Sequence, residues 1–127
     1  MLKSKHLIGL EHFPVSDLNK IIDTSFKFKD ILQTESRKAI LLKGKTIVNM
    51  FFENSTRTKI SFSLAEKRLG ADSINFSAST SSVKKGETLK DTVQNIESMK
   101  IDGAVISHGH PGSALKLTEY IDGAVIN

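Results

Sequence analysis

Between Thr46 and Phe52 the chain is largely apolar, through Ile47, Val48, Met50, Phe51 and Phe52, and then breaks at Asn54-Ser55-Thr56. Apolar residues return at helical spacing through Ile60, Leu64 and Leu69. The pattern predicts a strand, a tight turn, and a helix that starts at Ser55 or Thr56 and ends at Gly70. Upstream, Val15, Leu18, Ile21, Ile22, Ser25, Phe26, Lys29 and Leu32 keep a helical period, so Pro14 to Leu32 reads as a helix capped by Ser16 or Asp17. A polar linker over 33–38 joins that helix to the first strand. Ser73 to Phe76 reads as a second strand, and Ser77 to Gly86 as a Ser-rich loop closed by two lysines and a glycine. Leu89, Val93, Ile96 and Met99 predict a helix over 87–100, with Glu87 favourable in its first turn. Asp102-Gly103 turns into a strand over 104–106, Pro111 suits the first position of a helix over 112–120, and Asp122-Gly123 opens a last strand over 124–126.

The hexad Ile-Asp-Gly-Ala-Val-Ile occurs twice, at 101–106 and 121–126. Six residues are too few for a solenoid repeat, and two successive buried strands preceded by the same turn account for it. Four short strands separated by helices predict the α/β class: one domain over 1–127, built as a four-stranded parallel sheet with helices on both faces (three-layer α/β/α). Ligands of such sheets bind outside the carboxyl ends of the strands, near a switch point in strand order. The turns at that edge are 54–58, 77–86 and 107–112, and they hold the residues of chemical interest.

Composition changes this picture little. The 127 residues are 39% hydrophobic and 25% charged, a globular balance. A net charge of +4 leans toward anionic ligands, but the basic residues are scattered, with one Tyr and no Trp, which argues against nucleic acid. The absence of cysteine removes disulfides and thiolate metal sites and fits a cytoplasmic protein. The first residues lead into no apolar signal core, and no run is long enough to span a membrane.

The turn Ser55-Thr56-Arg57-Thr58 carries the sharpest chemistry. Free N–H groups of a helix start and the helix dipole favour an anion there, and three hydroxyls and a guanidinium add donors for several oxygens. Lys43-Gly44-Lys45-Thr46 looks like half of a P-loop, but it precedes a strand instead of following one and lacks the earlier glycine. His108 and His110 have no evident third ligand and alternate along an extended segment, so no metal is expected.

Ser-Thr-Arg-Thr, with Phe51-Phe52-Glu53 before it and Ser61-Phe62 after it, resembles the carbamoyl-phosphate motif of the transcarbamoylases. A second block, Ser81 followed by Lys84-Lys85-Gly86-Glu87-Thr88-Leu89 and Asp91-Thr92, is similar to the loop of aspartate carbamoyltransferases and unlike that of ornithine carbamoyltransferases. The resemblance implies that Ser55, Thr56, Arg57 and Thr58 cradle the phosphate, with Thr58 also directed at the carbonyl oxygen. It implies that Ser81 and Lys85 enter the site of a neighbouring subunit in a homotrimer, and that His108 lines the site. Arg57, Thr58 and Lys85 are the implied catalytic residues.

The implied activity is transfer of the carbamoyl group from carbamoyl phosphate to L-aspartate, in de novo pyrimidine biosynthesis, without metal or organic cofactor. Two departures accompany it. Ser107 stands where the family has an arginine that touches phosphate and carbonyl oxygen. The family's Gly-Asp-Gly loop, His-Pro-Thr-Gln motif and aspartate-binding domain have no counterpart up to Asn127, so the chain is expected to be the carbamoyl-phosphate half and not to turn over alone. The alternatives are a non-catalytic module that binds phosphate or carbamoyl phosphate or serves assembly, and an ornithine carbamoyltransferase. The resemblance carries no implication about a regulatory chain.

Overall fold

The computed structural model describes residues 1–77, 89–109 and 112–127. In chain order the elements are α1 (Val15–Ile31), β1 (Thr46–Phe51), α2 (Thr56–Arg68), β2 (Asp72–Ser77), α3 (Leu89–Glu97), β3 (Gly103–Ser107), α4 (Ser113–Leu117) and β4 (Ala124–Ile126). All pairings are parallel and the strand order is β2-β1-β3-β4. The chain goes outward from β1 to β2, then returns past β1 to β3 and β4. Right-handed crossovers therefore put α2 on one face and α3 and α4 on the other.

The two faces differ in chemistry. Toward α3 and α4, Val48 and Met50 of β1, Ala104 and Ile106 of β3 and Val125 of β4 pack with Val93, Ala114, Leu117 and Ile121 into the apolar core. Met50, Leu117, Val93 and Val125 have no exposed surface, and burying a side chain of this size contributes about 1.5–3 kcal/mol.

Toward α2 the sheet carries a polar network beside the buried Phe51, whose ring meets that of Phe62 on α2 with centroids 6.3 Å apart. Asn49 is fully buried, and its side-chain nitrogen donates to Glu66 Oε1 at 2.8 Å and Asn75 Oδ1 at 3.0 Å. Ser73 donates to the same Glu66 oxygen at 2.7 Å, and Ser63 donates to Asn75 Oδ1 at 3.0 Å. α2 thus rests on β1 and β2 through Phe62, Ser63 and Glu66, while Ile60 and Leu64 of its apolar period are exposed. Strand residues on the α2 side alternate as Asn49, and as Ser73 and Asn75, and this decides which side of the helix turns inward.

α1 corrects a second expectation. Pro14 occupies its N-cap without a side-chain bond, and neither Ser16 nor Asp17 caps it. Asp17, buried, instead accepts the backbone N–H groups of Lys3 at 2.9 Å and Ser4 at 2.7 Å. The bond from Lys3, then those from Ser4 with the charge of Lys20, hold its carboxyl below the usual value, against the opposing effect of burial. Val15, Ile22, Phe26 and Leu32 of the same helix are exposed.

The repeated hexads lie side by side but one residue out of step. Gly103 pairs with Ala124, Ala104 with Val125 and Val105 with Ile126. Ala104 and Ile106 face the core in the first copy, whereas Val125 faces it in the second. At Gly123 a methyl group would collide with the Asp102 carbonyl, so only glycine permits this approach of the two strands.

Gly70 closes α2 at φ +84°, where an added Cβ would lie 2.9 Å from the Ile40 side chain. Gly70→Ala is expected to cost about 1–2 kcal/mol from the left-handed backbone. It should lower the urea midpoint with the slope of the transition unchanged.

Candidate functional site

The carboxyl end of the sheet is organised by one ladder. Phe51 pairs with Ser107, and the Phe52 N–H donates to the Ser107 carbonyl at 2.8 Å, which carries the pairing one residue past β1. The turn after β1 and the residues after β3 therefore leave the sheet side by side. This is the switch point, because β2 lies on the other side of β1.

Ser55 is the N-cap of α2, in extended conformation. Its Oγ accepts the Thr58 N–H at 3.4 Å and donates to Thr58 Oγ1 at 2.7 Å. The Lys59 N–H goes to the Ser55 carbonyl, which leaves the N–H groups of Thr56 and Arg57 as the donors of the helix start with no partner among the described residues. No acidic residue lies in the first turn of α2. Arg57 is exposed, and among the described residues its guanidinium has no hydrogen bond or ion pair. Its carbonyl accepts from Ser61 Oγ at 2.8 Å, which fixes the turn without using the charge.

Across the ladder, Ser107 Oγ donates to Glu53 Oε2 at 3.4 Å. His108 packs edge-on against Phe52 with ring centroids 4.7 Å apart, and its Nδ1 lies 3.0 Å from Ser113 Oγ. A recess of about 240 Å³ beside it is lined by Ile8, His108, Gly112, Ser113 and Asn127.

The expected site residues thus divide. Ser55, Thr56, Arg57 and Thr58 form one turn, and His108 lies on the neighbouring strand end. Ser81, Lys85 and His110 lie outside the described residues. Sequence reading missed the carboxyl of Glu53 opposite Ser107 and the hydroxyl of Ser113 at His108. The first depends on the pairing of β1 with β3, whereas the second is local, and a hydroxyl five residues after a histidine, at a helix start, was a readable signal. Among the described residues no group of three or more metal-ligating side chains converges, and no helix is long and apolar enough to cross a membrane.

The arrangement can hold a tetrahedral dianion at the α2 start, with backbone donors, hydroxyls and one guanidinium around it. The Glu53 carboxyl, which accepts from Ser107, is a further hydrogen-bond acceptor at this edge of the sheet.

Comparison with known proteins gives a consistent result. A family model described as the carbamoyl-P binding domain of aspartate/ornithine carbamoyltransferase matches residues 5–127. The chain is 50% identical over 126 residues to the aspartate carbamoyltransferase catalytic subunit of Christiangramia forsetii, covering 99% of the chain and 41% of that relative. It is 49% identical to the same subunit of Flavobacterium johnsoniae, with equal coverage. The chain therefore spans about two-fifths of the length of the curated relatives it matches. Among solved structures, the catalytic subunit of M. jannaschii aspartate transcarbamoylase superposes with a TM-score of 0.86 at 38% identity, covering 98% of this chain and 40% of that one. The Trypanosoma cruzi aspartate transcarbamoylase in complex with carbamoyl phosphate gives 0.87 at 30% identity, covering 99% and 40%.

Proposed function

Because the chain belongs to the aspartate/ornithine carbamoyltransferase family, as its carbamoyl-phosphate-binding domain, we propose that it binds carbamoyl phosphate at the Ser55–Thr58 turn for transfer of the carbamoyl group to L-aspartate. The observation that carries this reading is the α2 start: a capped turn at the switch point whose Arg57 has no partner among the described residues. The relatives are named as aspartate enzymes, which disfavours the ornithine alternative.

In this reading the phosphate sits on the N–H groups of Thr56 and Arg57, the Thr56 hydroxyl and the Arg57 guanidinium. The Ser55 and Thr58 hydroxyls are held 2.7 Å apart, so the pair presents one O–H to Thr58's side of the ligand, toward the carbonyl oxygen. The α-amino group of aspartate attacks the carbonyl carbon, negative charge grows on the carbonyl oxygen, and the C–O bond to phosphate breaks. The products are N-carbamoyl-L-aspartate and phosphate. The work is positioning and charge stabilisation by donors already in place. Ser81 and Lys85 reach the site from a neighbouring subunit in a homotrimer, His108 lines it, the aspartate-binding part lies outside residues 1–127, and the setting is cytoplasmic.

Titration calorimetry with carbamoyl phosphate tests the reading. Saturable heat that inorganic phosphate displaces is expected, and no heat at millimolar ligand would overturn it. A second reading, a module that binds this ligand without catalysing, is favoured by Ser107, since a hydroxyl cannot replace a fork of charged donors. Formation of N-carbamoyl-L-aspartate from labelled carbamoyl phosphate, assayed with the aspartate-binding part present, separates the two.

Ser107 also gives a prediction. Its hydroxyl donates toward Glu53, so Ser107→Arg places a guanidinium between that carboxyl and the ligand. Carbamoyl phosphate should bind about tenfold tighter, as expected for an added charge-assisted hydrogen bond of roughly 1.5 kcal/mol. Equal or weaker binding by calorimetry would remove position 107 from the site.

A further inference from the structure

The N-terminal segment forms an added edge to the sheet. Leu7 bridges Ile126 in parallel, with the Leu7 N–H on the Val125 carbonyl at 2.9 Å and the Asn127 N–H on the Leu7 carbonyl at 2.8 Å. In a parallel ladder the next bond would run from the Val125 N–H to the carbonyl of residue 5. Here that N–H donates instead to Nδ1 of His6, at 3.0 Å. An imidazole has taken the place of a strand carbonyl.

We propose that His6 is a pH-operated latch that holds residues 5–8 on the β4 edge when its imidazole is neutral and releases them when it is protonated. A backbone N–H can only donate, so Nδ1 must present its lone pair and any ring proton must sit on Nε2. Protonation puts a second N–H at Nδ1, facing the Val125 N–H, and the bond becomes a repulsion.

The surroundings favour the neutral ring. Burial, and then the charge of Lys5, hold His6 below its ordinary value. Lys5 is the charged neighbour along the segment, and Ala124, Val125 and Ile126 of β4 carry no ionisable side chain. Upstream, Lys3 and Ser4 are tied to the Asp17 carboxylate, with Lys20 contributing its charge. The folded value of His6 is depressed, so its tie is intact above the unfolded value of about 6.5, weakens below it, and is lost as pH falls through the folded value. The Asp17 tie, also depressed, survives to below about pH 4. Between these limits residues 1–4 stay on α1 while residues 5–8 leave the sheet.

Release has two structural consequences. The outer N–H and C=O groups of β4 lose their cover. Asn127, whose side chain donates to the Ile8 carbonyl at 2.9 Å, loses its hold, and with it goes one wall of the recess beside His108.

The test is amide hydrogen exchange of Leu7, Val125 and Asn127, expressed as protection factors, from about pH 7.5 to about pH 5.5. Protection should fall, by up to about tenfold, across this range in the parent chain. His6→Asn puts an amide oxygen near the Nδ1 position and does not titrate, so its protection should stay flat. His6→Ala should give low protection at both ends. A flat profile in the parent, or an equal fall in His6→Asn that would point to His12, His108 or His110, overturns the proposal.

Discussion

Replacing Asn49 by leucine is expected to lower the stability of the fold by about 2–4 kcal/mol. The side chains are similar in volume, so the cost is electrostatic. Leucine removes the donor shared by Glu66 Oε1 and Asn75 Oδ1 and leaves the Glu66 carboxyl under α2 with the Ser73 hydroxyl. Among the described residues Glu66 Oε2 and Asn49 Oδ1 already lack partners, so no spare donor there takes over. For a chain of this size the thermal midpoint should fall by roughly 10 °C.

The double variant Asn49→Leu with Glu66→Met decides the mechanism. If the loss comes from stranding a buried polar group, replacing both partners recovers most of it, and the coupling exceeds about 1 kcal/mol. Additive losses in denaturant titration would show that Asn49 acts through packing alone.

The second large effect is on binding. Arg57→Ala should weaken carbamoyl phosphate by about 30- to 100-fold, because one charge-assisted, two-pronged contact is worth roughly 2–3 kcal/mol. Arg57→Lys keeps the charge without the fork and should fall between. Stability should be unchanged in both, since the exposed guanidinium holds nothing else among the described residues. Calorimetry read beside a melting curve checks both halves. Affinity of Arg57→Ala within about twofold of the parent would place the guanidinium outside the site.

Local signals carried much of the fold. The apolar strand before Asn54, the serine cap, Gly70 and the two Asp-Gly turns each act within a few residues, and β1, α2 and β4 stand where they point. What local signals could not carry was set by distant partners. Asp17 looks like a cap, but its carboxylate is drawn to the N–H groups of Lys3 and Ser4. Ile60 and Leu64 look like the buried side of α2, but the helix meets Asn49, Ser73 and Asn75 on the sheet and turns Glu66 inward beside Phe62. Polar residues at alternate strand positions, Ser73 and Asn75, met by Ser63 and Glu66 three apart on a helix, were the readable trace of that network.

The site was legible to the extent that it is one contiguous turn. Ser55 through Thr58 needs only the helix start to come together. The meeting of Glu53 with Ser107 depends on which residue of β3 faces Phe51, and a sequence does not state strand register. Ser81 and Lys85 lie outside the described residues, and their place beside the turn rests on the proposal.

The offset of the twin hexads bears on how the chain reaches this state. Sliding β4 back by one residue would set each copy against itself, Gly103 on Gly123 and Ala104 on Ala124, and would turn Ala124 and Ile126 toward the core in place of Val125. Both frames are apolar on both sides, so hydrophobic patterning scarcely tells them apart. Discrimination falls to the margins. Gly123 fits tightly against the Asp102 carbonyl, and the Leu7 and His6 bonds meet β4 in one frame only. A chain that paired β4 in the slipped frame would have to unzip it before its N-terminal segment could dock as it does here.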